Sequence, residues 1–531
     1  MRENIDMANL PFPGLMNERP LLLSEFVERA ERFFPNQEVI SFRGNERTVR
    51  TMGETVERVR RLASSLQRLG VGIGDRVATF SWNTQEHLEL YLAVPAMGAV
   101  LHPINIRVHS EEIRFIVDHA GDKMAFIDGS LSDRFPEVES LACEVVIGSG
   151  ERAGALDYER LIAEGDPNFE FPVIPENSAA GMCYTSGTTG TPKGVVYSHR
   201  STVLHTLLQS LPDFYAIAER DTVFPIVPMF HANAWGLPYA CFMTGARLVL
   251  PGENSSPERL AQIIADERVT FAAAVPTIWH GIAYLDDIPD LSSLRDVIAG
   301  GAPISEALMR RFDEVGIPAV IGFGMTECNP LIGVGRPPAR LVPDSPEWMS
   351  ARLAQGRPFP LIGIRTDESV GGEMMLTGNT IASAYYDAPE QNQDRFTEDG
   401  WMRTGDIITM DEDGVIRLVD RTKDLVKSGG EWISSVELEN AIVAHPDVRE
   451  ATVVAVPNAQ WGERPFAFVT RVEGSTLSGP ELSAFLEESV PRWWLPDFIE
   501  FVPEIAKTSI GKLDKKAMRL KAAVLARSVV G

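Results

Sequence analysis

Cysteine is scarce in this chain. Cys143, Cys183, Cys241 and Cys328 are its only four, they are scattered, and no histidine stands beside them at ligand spacing. That excludes a disulfide framework and a Cys/His zinc site. Positive charge is also in deficit: 49 Lys and Arg face 74 Asp and Glu, a formal net charge of -25 at pH 7. Such a surface repels nucleic-acid phosphates and anionic lipid, so no nucleic-acid partner is expected. It also repels anionic small molecules, except where isolated Lys or Arg side chains sit in Gly-rich loops. Solubility alone is the bland reading of the same excess. No unbroken apolar run is long enough to span a bilayer. Met1 to Pro13 carries acids and prolines and lacks the basic-then-apolar pattern of a signal peptide. The last six residues, Ala526 to Gly531, match neither a peroxisomal nor an ER address. Internal repeats and low-complexity tracts are missing too. A soluble, cytoplasmic enzyme is the expectation.

What is present is a long chain of ordinary globular composition, 531 residues with 44% hydrophobic content. That exceeds one hydrophobic core and implies a large domain with a smaller one. Val39 to Phe42 reads as a strand. Glu54 to Leu69 reads as an amphipathic helix, with Val56, Val59, Leu62, Leu66 and Leu69 on one side. Gly70 and Gly72 end it, and Arg76 to Phe80 is the next strand. His87 to Gly98, Ile113 to Ala120 and Leu260 to Glu267 read as helices. Val100 to Pro103, Met124 to Ile127 and Phe271 to Val275 read as extended. This alternation predicts a large N-terminal layered α/β domain with parallel sheets. After about Gly356 short strands separated by Gly and Asp turns (Gly372 to Leu376, Trp401 to Arg403, Val415 to Val419) predict a small β-rich subdomain. From Asp420 a small α+β unit is predicted, with helices at Val436 to Val443 and Gly479 to Ser489, strands at Ala451 to Val456 and Phe466 to Arg471, and a basic tail.

The most informative segment is Tyr184-Thr185-Ser186-Gly187-Thr188-Thr189-Gly190-Thr191-Pro192-Lys193-Gly194. Glycines let the backbone approach a polyanion and turn successive N–H groups toward it. The hydroxyls add donors and Lys193 a point charge, so the loop is built to hold phosphate. It is not a Walker A loop, because Pro192 stands where the second Gly should be. By composition alone a Gly/Thr-rich surface loop fits as well. Four further segments stand out. They are Gly300-Gly301-Ala302-Pro303 with Gly322-Phe323-Gly324-Met325-Thr326-Glu327, then Arg403-Thr404-Gly405-Asp406, Asp420 to Ser434, and Lys507 to Lys512. Taken singly each has a plain alternative: a strand end and helix cap, a β-turn aspartate, a linker plus hairpin, and a solvated lysine in a basic tail.

Together and in order, over nearly the whole chain, these segments resemble the signature blocks of the adenylate-forming superfamily, which includes acyl-CoA synthetases, peptide-synthetase adenylation domains and firefly luciferase. The resemblance implies a large AMP-binding domain over 1–422 and a small mobile C-terminal domain over 423–531. It implies an ATP-dependent acyl-CoA ligase. A carboxylic acid is first joined to AMP with loss of pyrophosphate, and the acyl group then passes to coenzyme A. It also implies roles. Thr185, Ser186, Gly187, Thr188, Thr189, Gly190 and Lys193 bind phosphate. Thr326 contacts the α-phosphate and Glu327 holds Mg²⁺, a hard cation suited to carboxylate and phosphate oxygens. Phe323 lies against adenine, and Gly301, Ala302, Pro303, Gly322, Gly324 and Met325 line the path past it. Asp406 and Arg421 take the ribose. Lys423 is the hinge. Lys427, Ser428, Gly429, Gly430, Glu431 and Trp432 form the loop past which the pantetheine arm runs. Lys512 is the catalytic lysine of adenylation.

Pro228 to Pro238 resembles medium- and long-chain fatty acyl-CoA synthetases more than acetate or aryl enzymes. By that resemblance Trp235 lines or gates the acyl tunnel, His231 stands beside the adenylate, and Gly324, Met325 and Cys328 complete an apolar pocket. Ordinary core packing is the alternative for Trp235. Methylthiopropionate-CoA ligases look similar here, so a short thioether acid stays open. Two departures stand out: Pro358 to Glu373 is short and lacks a polar hairpin, and Asn379 and Ala384 replace the family's Pro and Gly. Competing readings are an acyl-AMP ligase or oxygenase that does not use coenzyme A, a non-catalytic nucleotide-binding scaffold, and a phosphotransferase. The family also implies a homodimer as the assembly to test.

Overall fold

The computed structural model describes residues 14–185, 191–429, 431–507 and 513–530, and it divides into two compact units. The first runs to Leu353 and adds Arg357–Gly363 and Thr377–Met402. The second takes Ala354–Gly356, Ile364–Leu376 and Arg403 onward. The 422/423 position falls inside the second unit.

Two sheets dominate the first unit. The seven-stranded sheet has the order Leu156–Asp157, Cys143–Ile147, Asp122–Asp128, Arg76–Phe80, Val100–Pro103, Ala179–Thr185, Lys193–Ser198. All neighbours are parallel except the last pair. In the nine-stranded sheet the central run is Ala319–Gly324, Asp296–Gly300, Phe271–Ala274, Thr222–Pro225, Arg247–Leu250, Glu38–Arg43, all parallel. Antiparallel strands close its edges. Phe271–Ala274, Thr222–Pro225 and Val100–Pro103 are buried at every position, as parallel strands covered on both faces must be.

The helices follow from local signals. Met52–Arg68 opens on a capping box, with Glu54 N–H donating to Thr51 Oγ1 (3.1 Å) and Thr51 N–H to Glu54 Oε2 (2.7 Å). Of its predicted stripe, Val56, Val59, Leu62 and Leu66 are fully buried, each side chain contributing about 1.5–3 kcal/mol of transfer free energy, whereas Leu69 caps the helix end and is exposed. Gln85–Ala96 is buried all round, which fits its weak periodicity.

The path of the chain through the nine-stranded sheet decides where a ligand can sit. From its carboxyl end Thr222–Pro225 connects to its neighbour Arg247–Leu250 on one side, whereas its other neighbour, Phe271–Ala274, connects to Asp296–Gly300 in the opposite direction. In open α/β sheets such a switch point leaves a crevice outside the strand ends. Residues 226–236 run directly from this point.

Four strands that lie mainly in the second unit are ordered Ile362–Asp367, Glu373–Gly378, Met402–Met410, Ile416–Arg421. The connection expected to be short is a tight turn: Asp367 Oδ1 accepts from Ser369 N–H (3.1 Å) and Ser369 Oγ (2.6 Å). A further sheet is built on the hairpin Val448–Asn458 and Gly462–Arg471. Val453, Ala467 and Val469 pack with Leu438, Ile442, Leu482 and Leu486 of two helices on one face. Val454, Val456, Phe466 and Phe468 pack with Met518 and Ala522 on the other. The predicted basic tail is therefore a helix, Lys515–Val530, because its apolar positions cover that second face. Among the described residues no helix is long and apolar enough to cross a membrane.

Three buried histidines tie the first unit to pH. Burial lowers His87 and His199 to about 4 and His205 to about 3, all below the ordinary 6.5. Depressed folded values mean stability present above pH 6.5 and lost as pH falls toward 4, because the unfolded chain takes up protons that the fold refuses. Each contributes a slope approaching about 1.4 kcal/mol per pH unit. Urea midpoints between pH 7 and pH 5 should fall steeply. His205→Gln should flatten the histidine part of that slope by about a third. An unchanged slope would show that His205 titrates normally.

Candidate active site

The segment leaving the switch point is held by one side chain. Asn83, buried, donates through Nδ2 to Pro225 O and Val227 O (both 2.9 Å) and accepts from Met229 N–H (2.7 Å). The chain then enters a left-handed turn: φ is 45° at Ala232, 56° at Asn233, 46° at Ala234, 54° at Trp235 and 76° at Gly236. Left-handed backbone costs an L-residue about 1–2 kcal/mol, so the turn persists only where its surroundings over-determine it. Those surroundings are polar and buried. Tyr91 Oη donates to Met229 O and lies 3.3 Å from Asn233 Oδ1, and Gln209 Nε2 donates to Gly236 O (3.0 Å). Behind them, Leu331 N–H donates to His205 Nε2 (3.0 Å), which fits a neutral imidazole.

The turn brings Trp235 to the strand ends. A Cβ added to Gly300 would lie 3.0 Å from Trp235 Cη2 and 2.6 Å from Gly322 O, so only glycine admits the indole here. Gly300 and Gly322 are register partners on adjacent parallel strands. His231 and Trp235 are half-buried while their neighbours Ala232 to Ala234 are buried. Gly301, Pro303 and Gly324 are exposed, and Ala302, Gly322, Phe323, Met325 and Thr326 are half-buried, whereas Cys328 is fully buried in the core.

Thr326 and Glu327 begin a short turn at the end of Ala319–Gly324. Tyr197 Oη donates to Thr326 O (2.8 Å), and Ala382 N–H donates to Glu327 O (2.7 Å). The Glu327 side chain is buried, and its Oε1 accepts from Tyr385 Oη (2.5 Å) and Arg395 Nη2 (3.3 Å). A buried carboxylate needs such partners. Lys193 Nζ sits 5.1 Å from the Tyr385 ring centroid, and Tyr386 N–H donates to Gly194 O (2.8 Å). Thr185 and Lys193 face one another across two paired strands. The structure thus brings Lys193 and Glu327 to Tyr385, with Thr185 opposite Lys193 and Thr326 next to Glu327. Ser186, Gly187, Thr188, Thr189 and Gly190 lie outside the described residues. Among the described residues no group of three His, Cys, Asp or Glu side chains is placed to hold a metal ion. One carboxylate beside a threonine fits a Mg²⁺ that arrives with most of its ligands from phosphate and water.

Within the second unit, Asp406 and Arg421 are cross-strand partners, with Arg421 Nε 3.2 Å from Asp406 Oδ1. The preceding motif is fixed residue by residue. Arg403 pairs with Glu373 and Asp367 (both 2.9 Å), and Thr404 Oγ1 donates to Met374 O (2.7 Å). Gly405, at φ 72°, donates its N–H to Glu373 Oε1 (2.9 Å). Lys423 lies in a turn closed by Asp424 N–H to Arg421 O (2.8 Å), and its carbonyl accepts from Arg519 (3.0 Å). Lys427 faces Trp432 and Ser428 faces Glu431 in a tight hairpin, with Lys427 Nζ 5.2 Å from the Trp432 ring centroid. Gly429 N–H donates to Trp461 O (2.7 Å), and Arg464 Nη1 donates to Ser428 Oγ (3.0 Å). Gly430 and Lys512 lie outside the described residues; Lys507 and Leu513, either side of Lys512, form an antiparallel bridge.

Sequence reading missed Tyr385, Arg395, Tyr197, Asn83 and Trp461. Only Tyr385 lay near a noted feature, directly after Ala384. Arg395 ends a short polar helix, Pro389–Arg395, and nothing local distinguishes it from a surface arginine.

Residues 26–386 match the family model described as AMP-binding enzyme, and residues 437–512 match that of the AMP-binding enzyme C-terminal domain. The chain is 43% identical to a long-chain-fatty-acid–CoA ligase of Thermus thermophilus, covering 96% of this chain and 97% of that one. It is 38% identical to a 3-methylmercaptopropionyl-CoA ligase of Ruegeria lacuscaerulensis, covering 95% and 98%. Its fold is like that of the anthranilate CoA ligase AuaEII in complex with anthranoyl-AMP, with a TM-score of 0.83 at 24% identity over 96% of this chain and 99% of that one. With a family match over most of its length and these relatives end to end, the chain belongs to the AMP-binding enzyme family.

Proposed function

We propose that the protein is an AMP-forming acyl-CoA ligase that activates a medium- or long-chain fatty acid, or a similar apolar carboxylic acid. The observation that carries this is the meeting of Lys193, at the start of an antiparallel edge strand, and Glu327, just beyond the strand Ala319–Gly324, at Tyr385, with Thr326 next to Glu327. It offers a cation and a buried carboxylate where a polyphosphate would lie.

A carboxylate is a poor electrophile, and joining it to AMP supplies a good leaving group. In the first half-reaction a carboxylate oxygen attacks the α-phosphorus, and the bond to pyrophosphate breaks. Lys193, the loop hydroxyls and Lys512 offset the negative charge that builds there. Glu327 would hold Mg²⁺, which when bound neutralises phosphate charge. Asp406 and Arg421 would take the ribose, Phe323 the adenine. In the second half-reaction the coenzyme A sulfur attacks the acyl carbon, its proton is lost to solvent, and AMP departs. A thiol pKa of about 8.5 leaves appreciable thiolate near neutrality. Lys427 to Trp432 would flank the pantetheine arm. Because Lys512 and this loop serve different steps, we assign Lys423 as the hinge of a mobile C-terminal domain over 423–531. Four free thiols support assignment to the reducing cytoplasm. A homodimer is the assembly we assign from the family.

For the acid, Trp235 and His231 are the half-buried members of an otherwise buried segment. Higher identity to the fatty-acid ligase favours a fatty acid, and the relative that acts on 3-methylmercaptopropionate keeps a short thioether acid as the second reading. Apolar pockets discriminate by about 1–3 kcal/mol per methylene, so the preference should be graded.

Pyrophosphate release with ATP and Mg²⁺, across acids from acetate to palmitate plus 3-methylmercaptopropionate, should peak at one class. It should yield AMP, and acyl-CoA only when coenzyme A is added. ADP as product, or no dependence on coenzyme A, would reject the ligase. Lys512→Ala should slow adenylation by about a hundredfold or more yet still convert a supplied acyl adenylate to acyl-CoA. Lys423→Pro should spare one half-reaction and impair the other, and equal loss of both would remove the hinge assignment. Trp235→Ala should move the preferred chain length, and an unmoved profile would leave Trp235 a packing residue.

A further inference from the structure

Tyr184 stands directly before the proposed phosphate loop, and two histidines hold its ring. Strand register sets Tyr184 opposite Gly194 and Thr185 opposite Lys193, so the loop is entered and left at this pair. His102 lies 5.2 Å from the Tyr184 ring between centroids, and Asp122 Oδ2, 2.7 Å from His102 Nδ1, fixes that imidazole in a fully buried pair. His119, half-buried, meets the Tyr184 ring edge-on at 5.8 Å, and its Nδ1 is hydrogen-bonded to Tyr184 Oη at 2.6 Å. One turn of chain supplies both histidine contacts. The helix Ser110–Ala120 brings His119 in its last turn, Gly121 caps it at φ 64°, and Asp122 opens the next strand. His119 also reaches the other flank of Gly194. It lies edge-on to the Tyr386 ring at 5.6 Å, and Tyr386 N–H donates to Gly194 O (2.8 Å). A Cβ added to Gly194 would stand 3.2 Å from Tyr184 Cζ and 3.3 Å from Tyr386 Cβ, so both tyrosines lie against the backbone joined to Lys193. Ring contacts are broad in angle, whereas a hydrogen bond weakens steeply when misaligned, so the bond to His119 is what fixes the far end of the Tyr184 phenol.

We propose that His119 is a positioning residue for the outer phosphates of the nucleotide: through Tyr184 and Tyr386 it sets where Lys193 stands. The inference rests on the proposed phosphate role of Lys193 and its loop. His119 touches no substrate on this reading. Loss of its hydrogen bond frees the Tyr184 phenol, loosens the backbone at Gly194 and lets Lys193 wander, which weakens the hold on a polyphosphate. The single phosphate of AMP, assigned to Thr326, does not depend on that cation. The rival is ordinary packing, in which the three rings fill space and any loss falls on every ligand alike.

The test is calorimetry of Mg²⁺–ATP and of AMP binding to the full-length protein, with no acid present. His119→Ala should weaken Mg²⁺–ATP by about tenfold and leave AMP within about twofold of the wild type. His119→Asn offers both a donor and an acceptor near the place of Nδ1, so it should restore the binding of Mg²⁺–ATP. Tyr184→Phe keeps the ring and drops only the hydroxyl. It should repeat the loss on Mg²⁺–ATP, and it decides the matter should His119→Ala fail to fold. Unchanged affinity for Mg²⁺–ATP, equal losses on ATP and AMP, or a His119→Asn protein as weak as His119→Ala each overturn the inference. Lys193→Ala separates that outcome from failure of the reading beneath it. If Lys193→Ala weakens Mg²⁺–ATP, the phosphate role of the loop stands whatever His119 does; if it does not, Lys193 holds no phosphate and both fall.

Discussion

A parallel strand buried on both faces has no side chain free for chemistry, and this constraint orders the first unit. Every apolar position of Phe271–Ala274 and Thr222–Pro225 is committed to the core. Reactive groups are then confined to the places where the chain leaves the sheets. Thr185 ends one strand, Gly300 another, and Gly324 a third, with Thr326 and Glu327 directly beyond. His231 and Trp235 lie on the run that leaves the switch point beside Thr222–Pro225. The hydrophobic drive that covers the sheets also gathers these ends, because neighbouring parallel strands share one direction.

Burial also dictates how the candidate carboxylates are kept. Glu327 in the first unit and Asp406 in the second are both buried, and each has an arginine within 3.3 Å. In a chain with 25 excess negative charges, an unpaired carboxylate in either place would face both a desolvation cost and a repulsive field. The arginines relieve both. They differ in kind, however. Arg421 stands opposite Asp406 in strand register, whereas Arg395 reaches Glu327 from the end of a short helix.

Much of this was legible in the sequence because the signals are local. The stripe Val56, Val59, Leu62 and Leu66 announced its helix, Arg76–Phe80 its strand, and the glycine and threonine blocks their family. What escaped was non-local. Arg395 meets Glu327 across 68 residues, and Asn83 meets Met229 across 146. The helix Lys515–Val530 was read as a tail because its lysines and arginines hid Met518 and Ala522, whose partners Phe466 and Phe468 lie far upstream. The left-handed turn had no signal at all. Ala232, Ala234 and Trp235 have no preference for positive φ, and only the buried polar groups around them, contributed by other elements, hold it.

That turn bears on selectivity. Its backbone is fixed at both ends, by Asn83 before it and by Gln209 at Gly236, with Tyr91 beside Asn233 in the middle. Backbone shift is therefore an expensive way for the proposed acyl site to adapt. The Trp235 side chain, half-buried and packed on the core with its indole edge against the bare face of Gly300, is where the proposed site can change shape without moving that backbone. On the proposed reading such a site would adjust its depth through one side chain while the groups proposed to face phosphate stay still, and graded discrimination among acids would follow.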